Sequence, residues 1–139
     1  MEICGVPTDK FRAICSAIDK LDKEPWDAVR REMVEKKGLA GDVADRLQVF
    51  VDPQYPGGFQ AGAPSAVLPQ LRAHAGMQAH AAAREAIEEL SLMASYLEAL
   101  GTVGSVNIDL SLARGLDYYT GVIYEAVLVD GETKVGAHA

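Results

Sequence analysis

PTDKFRAICSAIDKLDKEPWDAVRREMVEKKGL, residues 7–39, contains the signals of two consecutive amphipathic helices. Thr8 or Asp9 can cap the first helix. Pro25 suits the first turn of the second helix, and Gly38 is typical of a helix end. The first helix carries one apolar face at the spacing i, i+3, i+4, i+7, formed by Phe11, Ile14, Cys15, Ile18 and Leu21.

The next segments predict a third helix followed by a loop. The third helix is expected at about residues 41–51, where Val43, Leu47 and Phe50 would be buried. Residues 52–69 are rich in proline and glycine, which interrupt helices and strands. We therefore expect a loop there.

The second half of the chain predicts one long helix and then strands. Residues 75–101 are rich in alanine, and Gly101 suits the end of the helix. Alternating apolar and polar residues at 106–111 indicate a half-buried strand, and β-branched and aromatic residues indicate another at about 117–129. The apolar stripe of the long helix comprises Ile87, Leu90, Met93, Ala94, Leu97 and Leu100.

These elements predict an α+β fold with two regions. Residues 1–104 form a mainly helical region, and residues 105–139 form a strand pair. A hydrophobic content of 49% is enough for a core. No apolar run approaches the about 20 residues that span a bilayer, and the first residues lack the features of a signal peptide. We expect no membrane partner and a cytoplasmic location.

The charge of the chain disfavours a protein that coats nucleic acid. The formal net charge is −7, and most cations lie in the first 51 residues, with nine Lys and Arg against ten Asp and Glu. Four cations lie on the second predicted helix, and a solvated helix face is their more usual role than a contact with an RNA backbone. They are Arg30, Arg31, Lys36 and Lys37.

The residues that most often bind metals or stack on bases are given structural roles. Cys4 and Cys15 are eleven residues apart, a spacing that suits neither a metal pair nor a disulfide framework, so both are expected to be small buried hydrophobes. Trp26 is expected to anchor the core. No zinc site and no other metal site is assigned to the three histidines, which are His74, His80 and His138.

The motif RGLDYYTG, residues 114–121, combines groups that suit a small-molecule pocket. The planar guanidinium of Arg114 matches a carboxylate or a phosphate, and a tyrosine hydroxyl both donates and accepts hydrogen bonds. An alternative is a turn at the entry to a strand, in which Arg114 pairs with Asp117 and the tyrosines pack beneath helices. The residue chemistry leaves both interpretations open.

Two segments resemble the histidyl-tRNA synthetases. LARGLDYYTGVIYEAVL, residues 112–128, is similar to their histidine-binding signature, and residues 4–39 resemble the start of the helical insertion of the eukaryotic type. The resemblance implies part of a class II synthetase, whose antiparallel sheet is flanked by helices. Such an enzyme is a homodimer that forms histidyl-adenylate from histidine and ATP with magnesium, and then esterifies tRNA(His).

The resemblance also implies roles for three residues. Arg114 corresponds to the arginine that lies against the histidine carboxylate and the α-phosphate of ATP, where a guanidinium stabilises developing charge. Tyr118 and Tyr119 correspond to the pair that lines the histidine pocket. Side chains alternate along a regular strand, so both tyrosines can touch one ligand only at an irregular strand start, which Gly115 and Gly121 make credible.

Other expected parts of such an enzyme are not found in these 139 residues. They include the motif that forms the dimer, the ATP-binding arginine motifs and the anticodon-binding domain. The chain is therefore interpreted as an internal fragment that is inactive alone and holds no tightly bound cofactor. Two alternatives are a synthetase-like regulatory subunit that senses histidine without catalysis, and a helical module that contacts RNA.

Overall fold

The computed structural model describes residues 1–113, 121–130 and 133–137. Within these ranges the chain is mostly helical, as predicted. Two antiparallel strands, β1 (Ala126–Asp130) and β2 (Thr133–Ala137), pair Ala126 with Ala137 and Asp130 with Thr133. The α-helices are α1 (Phe11–Ile18), α2 (Trp26–Arg31), α3 (Gly41–Val51), α4 (Pro64–Ala73), α5 (Ala75–Ala79) and α6 (Ala81–Ala99).

The first three helices form as predicted. Short 3₁₀ turns, Thr8–Lys10 and Asp19–Asp22, extend α1 at both ends. The predicted capping by Thr8 or Asp9 is wrong, because the 3₁₀ turn begins at Thr8 and the capping position falls on Pro7, which has no side-chain donor or acceptor. α3 has the predicted bounds.

A π turn at Glu32–Lys36 continues α2. The Lys37 amide donates to the Glu32 carbonyl at 3.1 Å, and the Leu39 amide donates to the Met33 carbonyl at 2.9 Å. Between them Gly38 adopts φ of 64°, the left-handed conformation that favours glycine. The predicted helix end at Gly38 is therefore confirmed.

α1, α2 and α3 enclose the larger hydrophobic core, which we call the first cluster. Trp26 is 8% exposed, which confirms its place in the core. Cys4 and Cys15 are both buried free thiols, as predicted, and burial raises the pKa of the Cys4 thiol. The first cluster comprises Cys4, Val6, Ile14, Ala17, Ile18, Trp26, Val29, Met33, Leu39, Val43, Ala44, Leu47 and Val51.

The second cluster is built from α4, α6 and Ile108, and comprises Val67, Leu68, Leu71, Ile87 and Ile108. The predicted loop at 52–69 is wrong at its end, because α4 begins at Pro64. Pro64 occupies the first helical turn, where its missing N–H has no helical acceptor to lose. Three apolar side chains on one face of α4 are buried, and this burial outweighs the hydrogen bond that Pro69 removes.

The predicted long helix at 75–101 is interrupted. His80 has extended backbone angles, φ −102° and ψ 117°, and separates α5 from α6. Its Nε2 lies 2.9 Å from a carboxylate oxygen of Glu2, a contact that links the helix break to the N-terminal turn. Gly101, at φ 71°, follows the end of α6 as predicted. Of the predicted stripe, Ile87 is buried, whereas Leu100 is 74% exposed.

The predicted strand at 106–111 is wrong. Ile108 exchanges two backbone hydrogen bonds with Gly62, at 3.1 and 2.8 Å, as an isolated bridge. Gly62 lies in the loop before α4, and among the described residues the pairing does not extend beyond this bridge. The predicted strand at 117–129 is also shorter than expected, because within its described part β1 begins only at Ala126. None of the helices in the described ranges has the length and apolar character needed to cross a membrane.

Candidate functional site

The predicted histidine-site residues Arg114, Tyr118 and Tyr119, together with Asp117, lie outside the described residues. Both interpretations of the motif therefore stay predictions. The structure does describe the chain up to Ala113 and from Gly121 onward. The contacts on these two flanks define how the motif joins the helical region.

The upstream flank is a tight turn at Asp109. The Asp109 Oδ1 atom accepts two hydrogen bonds from Ser111, one from its amide at 2.8 Å and one from its hydroxyl at 2.6 Å. A carboxylate that binds the amide two residues later makes an Asx turn. The turn directly follows Ile108, which is 7% exposed and bridged to Gly62.

The same flank connects the two hydrophobic clusters. Leu110 packs against the second cluster, whereas Ala113 packs against the first cluster. Between Ile108 and Ala113 the chain therefore passes from one cluster to the other. It reaches the motif directly after the contact of Ala113 with the first cluster.

The downstream flank contacts α6. The Tyr124 hydroxyl donates to the Met93 sulfur at 3.0 Å, and the Tyr124 side chain is 68% exposed. Leu92 and Tyr96 on the same helix, and Leu100 directly after it, are also more than half exposed. An exposed hydrogen bond to a thioether is weak, so this contact contributes little to the stability of the flank.

A second candidate site is the basic face of α2. Arg30 binds the Asp45 carboxylate through two nitrogens, Nε at 2.6 Å and Nη2 at 3.1 Å. This contact lowers the pKa of Asp45 and raises the pKa of Arg30. The guanidinium is thus occupied by a carboxylate on α3.

Lys37 of this face and Lys20, from the turn after α1, converge on one carboxylate. Lys20 Nζ lies 2.6 Å from Glu32 Oε2, and Lys37 Nζ lies 3.4 Å from Glu32 Oε1. The hydrogen bond from Lys20 lowers the pKa of Glu32, whose side chain is 13% exposed. Lys10 Nζ donates to the Lys37 carbonyl at 2.8 Å. Arg30 and Lys37 therefore have carboxylate partners within the protein, which disfavours their use in an RNA site, while Arg31 and Lys36 are exposed to solvent.

The described histidines have structural contacts. His74 lies edge-on to Phe50, with ring centres 5.1 Å apart, and its Nδ1 accepts from the Met77 amide at 3.3 Å, at the start of α5. His138 lies outside the described residues. Within the described ranges, no three His, Cys, Asp or Glu side chains gather in a group that could hold a metal ion.

The Asp109 turn was not predicted from the sequence. An Asp followed two residues later by Ser is a recognisable signal, because a carboxylate can accept both the amide and the hydroxyl of that residue. The alternation of apolar and polar residues at 106–111 predicted a strand instead. The contact of Ala113 with the first cluster has no comparable local signal.

Comparison with known proteins places the chain among the aminoacyl-tRNA synthetases. Residues 8–137 match the family described as "Histidyl-tRNA synthetase". The chain belongs to that family, which confirms the resemblance found in its sequence.

The relatives come from several organisms. The chain is 52% identical to "Histidine--tRNA ligase, cytoplasmic" of Dictyostelium discoideum, with 99% of this chain and 27% of the relative covered. It is 49% identical to "Histidine--tRNA ligase, mitochondrial" of Homo sapiens, with 96% and 25% covered. It is 48% identical to "Histidine--tRNA ligase, cytoplasmic" of Arabidopsis thaliana, with 99% and 15% covered. The chain thus spans about a quarter or less of these relatives, which are named for two different compartments.

Proposed function

We propose that the chain is a segment of a histidine–tRNA ligase. The observation that carries this proposal is the family match over residues 8–137, which includes the motif at 114–121. Residues 1–104 would be the helical insertion, and residues 105–139 would belong to the catalytic domain. The ligase names of the relatives support this function over that of a regulatory subunit.

The complete protein would activate histidine with ATP and transfer it to tRNA(His). Arg114 would lie against the histidine carboxylate and the α-phosphate. Attack by the carboxylate places additional negative charge on the α-phosphoryl oxygens, and a guanidinium already in position stabilises that charge without rearrangement. Magnesium would supply further charge neutralisation on the phosphates, and we assign no magnesium ligand to this chain.

Tyr118 and Tyr119 would line the histidine pocket. A tyrosine hydroxyl can pair with an imidazole nitrogen or an amine while its ring excludes water. A pocket built around such a hydrogen bond rejects side chains that leave its polar group unpaired. These residues would therefore contribute to the choice of histidine over other amino acids.

The function is tested with the complete protein in a histidine-dependent ATP–pyrophosphate exchange assay. We expect exchange with histidine and none with other amino acids. We expect no exchange from the 139-residue chain alone, because it covers 27% or less of the relatives reported above. Exchange by this chain alone would contradict the proposal that other parts of the protein are required.

The role of Arg114 is tested by Arg114→Ala in the complete protein. We expect adenylate formation to slow by about 100-fold to 1,000-fold, the usual effect of removing one group that stabilises transition-state charge. Arg31→Ala, which removes an exposed arginine from α2, is the matched control and should leave the rate unchanged. An unchanged rate in Arg114→Ala would remove Arg114 from the reaction.

A further inference from the structure

We infer that Asp109 is a positioning residue for the histidine-binding motif. Its carboxylate folds the chain into the turn that leads to Arg114. The inference rests on the proposed function, because it concerns the delivery of Arg114 to histidine and ATP. It adds a residue that lies outside the motif itself.

The Asp109 turn lies between two fixed points of the chain. Upstream, Ile108 is 7% exposed and its amide and carbonyl both pair with Gly62. Downstream, Ala113 packs against the first cluster. The path between these points depends on residues 109–112, where the Asp109 carboxylate binds both the amide and the hydroxyl of Ser111.

The Asp109 turn is close to Arg114 along the chain. Ser111 and Arg114 are three residues apart, a separation that an extended chain spans in about 11 Å. Loss of the turn would change the path of residues 109–112 and strain the contact of Ala113 with the first cluster, directly before Arg114 in the sequence. Misplacement of a reacting group by about 1 Å can slow a reaction by about 100-fold.

In the described part of the chain, Asp109 lies outside the packed interior. Its side chain is exposed and belongs to neither hydrophobic cluster. A substitution at this position should therefore alter the turn more than the stability of the whole protein. This separates positioning from general folding.

The chain also offers a conservative variant. Asn keeps one side-chain oxygen and forms the same kind of turn as Asp, whereas Ala has no acceptor. Asp109→Asn and Asp109→Ala remove the same charge but differ in the turn. Ser111→Ala removes the hydroxyl bond and keeps the amide bond, so its effect should be smaller than that of Asp109→Ala.

The experiment measures single-turnover formation of histidyl-adenylate by the complete protein. We expect Asp109→Ala to be about tenfold slower at saturating histidine and ATP, less than the full effect of a misplaced group, because Ile108 and Ala113 still hold the chain. Asp109→Asn should stay within about twofold of the wild type, and Ser111→Ala should be about threefold slower. Asp42→Ala, which removes another exposed carboxylate, is the control and should keep the wild-type rate.

Several results would overturn the inference. A wild-type rate in Asp109→Ala would show that the turn does not position the motif. Equal losses in Asp109→Asn and Asp109→Ala would point to the charge, not to the turn. If Asp109→Ala fails to fold, Ser111→Ala decides: it must slow the reaction with an unchanged melting temperature. If the wild-type protein forms no histidyl-adenylate, the proposed function itself fails, and this inference fails with it.

Discussion

Gly58 lies where the chain after α3 passes very close to the end of that helix. A Cβ atom at Gly58 would lie 2.7 Å from the Val49 carbonyl oxygen, well inside ordinary contact distance, which starts at 3.4 Å. The same oxygen accepts a hydrogen bond from the Phe59 amide at 2.8 Å. Gly58→Ala must therefore displace backbone on both sides of this contact.

The expected loss follows from these two effects. Overpacking costs about 1–3 kcal/mol, and a weakened hydrogen bond adds about 0.5–1.5 kcal/mol, so we expect about 1.5–4.5 kcal/mol of lost unfolding free energy. Phe59 also stacks on Phe50 with ring centres 5.2 Å apart, and a shift of residues 58–59 would disturb that contact.

Urea unfolding of the 139-residue chain measures this loss. Trp26 is the single tryptophan and is buried, so its fluorescence reports the first cluster, while far-ultraviolet circular dichroism reports all the helices. Gly104→Ala is the control, because a Cβ there meets nothing within 4 Å. If Gly58→Ala and Gly104→Ala unfold at the wild-type urea concentration, the close approach at Gly58 does not constrain the fold.

Two further predictions concern Glu32 and the first cluster. The hydrogen bond from Lys20 lowers the pKa of Glu32 in the folded protein. The ionised Glu32 therefore contributes its full stability to the fold above its pKa in the unfolded chain, about 4.3, and this contribution is lost as the pH falls through the pKa in the folded protein. Glu32→Gln should therefore lose less stability than the wild type in thermal melts between about pH 5 and pH 3, and an identical slope would refute this. The Leu47 side chain is 1% exposed. We expect Leu47→Ala to lower the free energy of unfolding in urea by about 2–5 kcal/mol. Leu92→Ala, at an exposed position, should stay within about 0.5 kcal/mol, and equal losses would contradict the assigned core.

The helices around the first cluster could be predicted because their signals are local. The apolar spacing from Phe11 to Ile18 and the glycine at position 38 need no knowledge of distant residues. Proline is a weaker signal, because it interrupts a helix interior but suits a first turn. This is why the start of α4 at Pro64 was missed.

The elements that sequence reasoning misplaced depend on distant contacts. His80 breaks an alanine-rich segment and contacts Glu2, which is 78 positions away in the chain. The alternation of residues 106–111 indicates which side chains would be buried, but it does not reveal whether a partner strand exists. Only Gly62 pairs with this segment among the described residues, through Ile108.

The residues of the candidate site were predicted from their motif. The contacts that hold the chain next to the motif were not predicted. Arg114, Tyr118 and Tyr119 were assigned by resemblance, which needs no structure. The supports of the motif required coordinates, because Ala113 meets the first cluster through tertiary packing. The Asp109 turn is easier to predict than the Ala113 contact, because Asp109 and Ser111 are only two residues apart in the sequence.

The π turn at Glu32–Lys36 has a consequence for the length of the chain. A π turn holds one residue more than the α-helical turn that it replaces. A homologue could therefore lose one residue here and keep an unbroken α-helix, while Trp26 before the turn and Leu39 after it stay in the core. Single-residue length variation within the family is expected to concentrate at this turn, and not inside α1 or α3, where a deletion would rotate a buried face towards solvent.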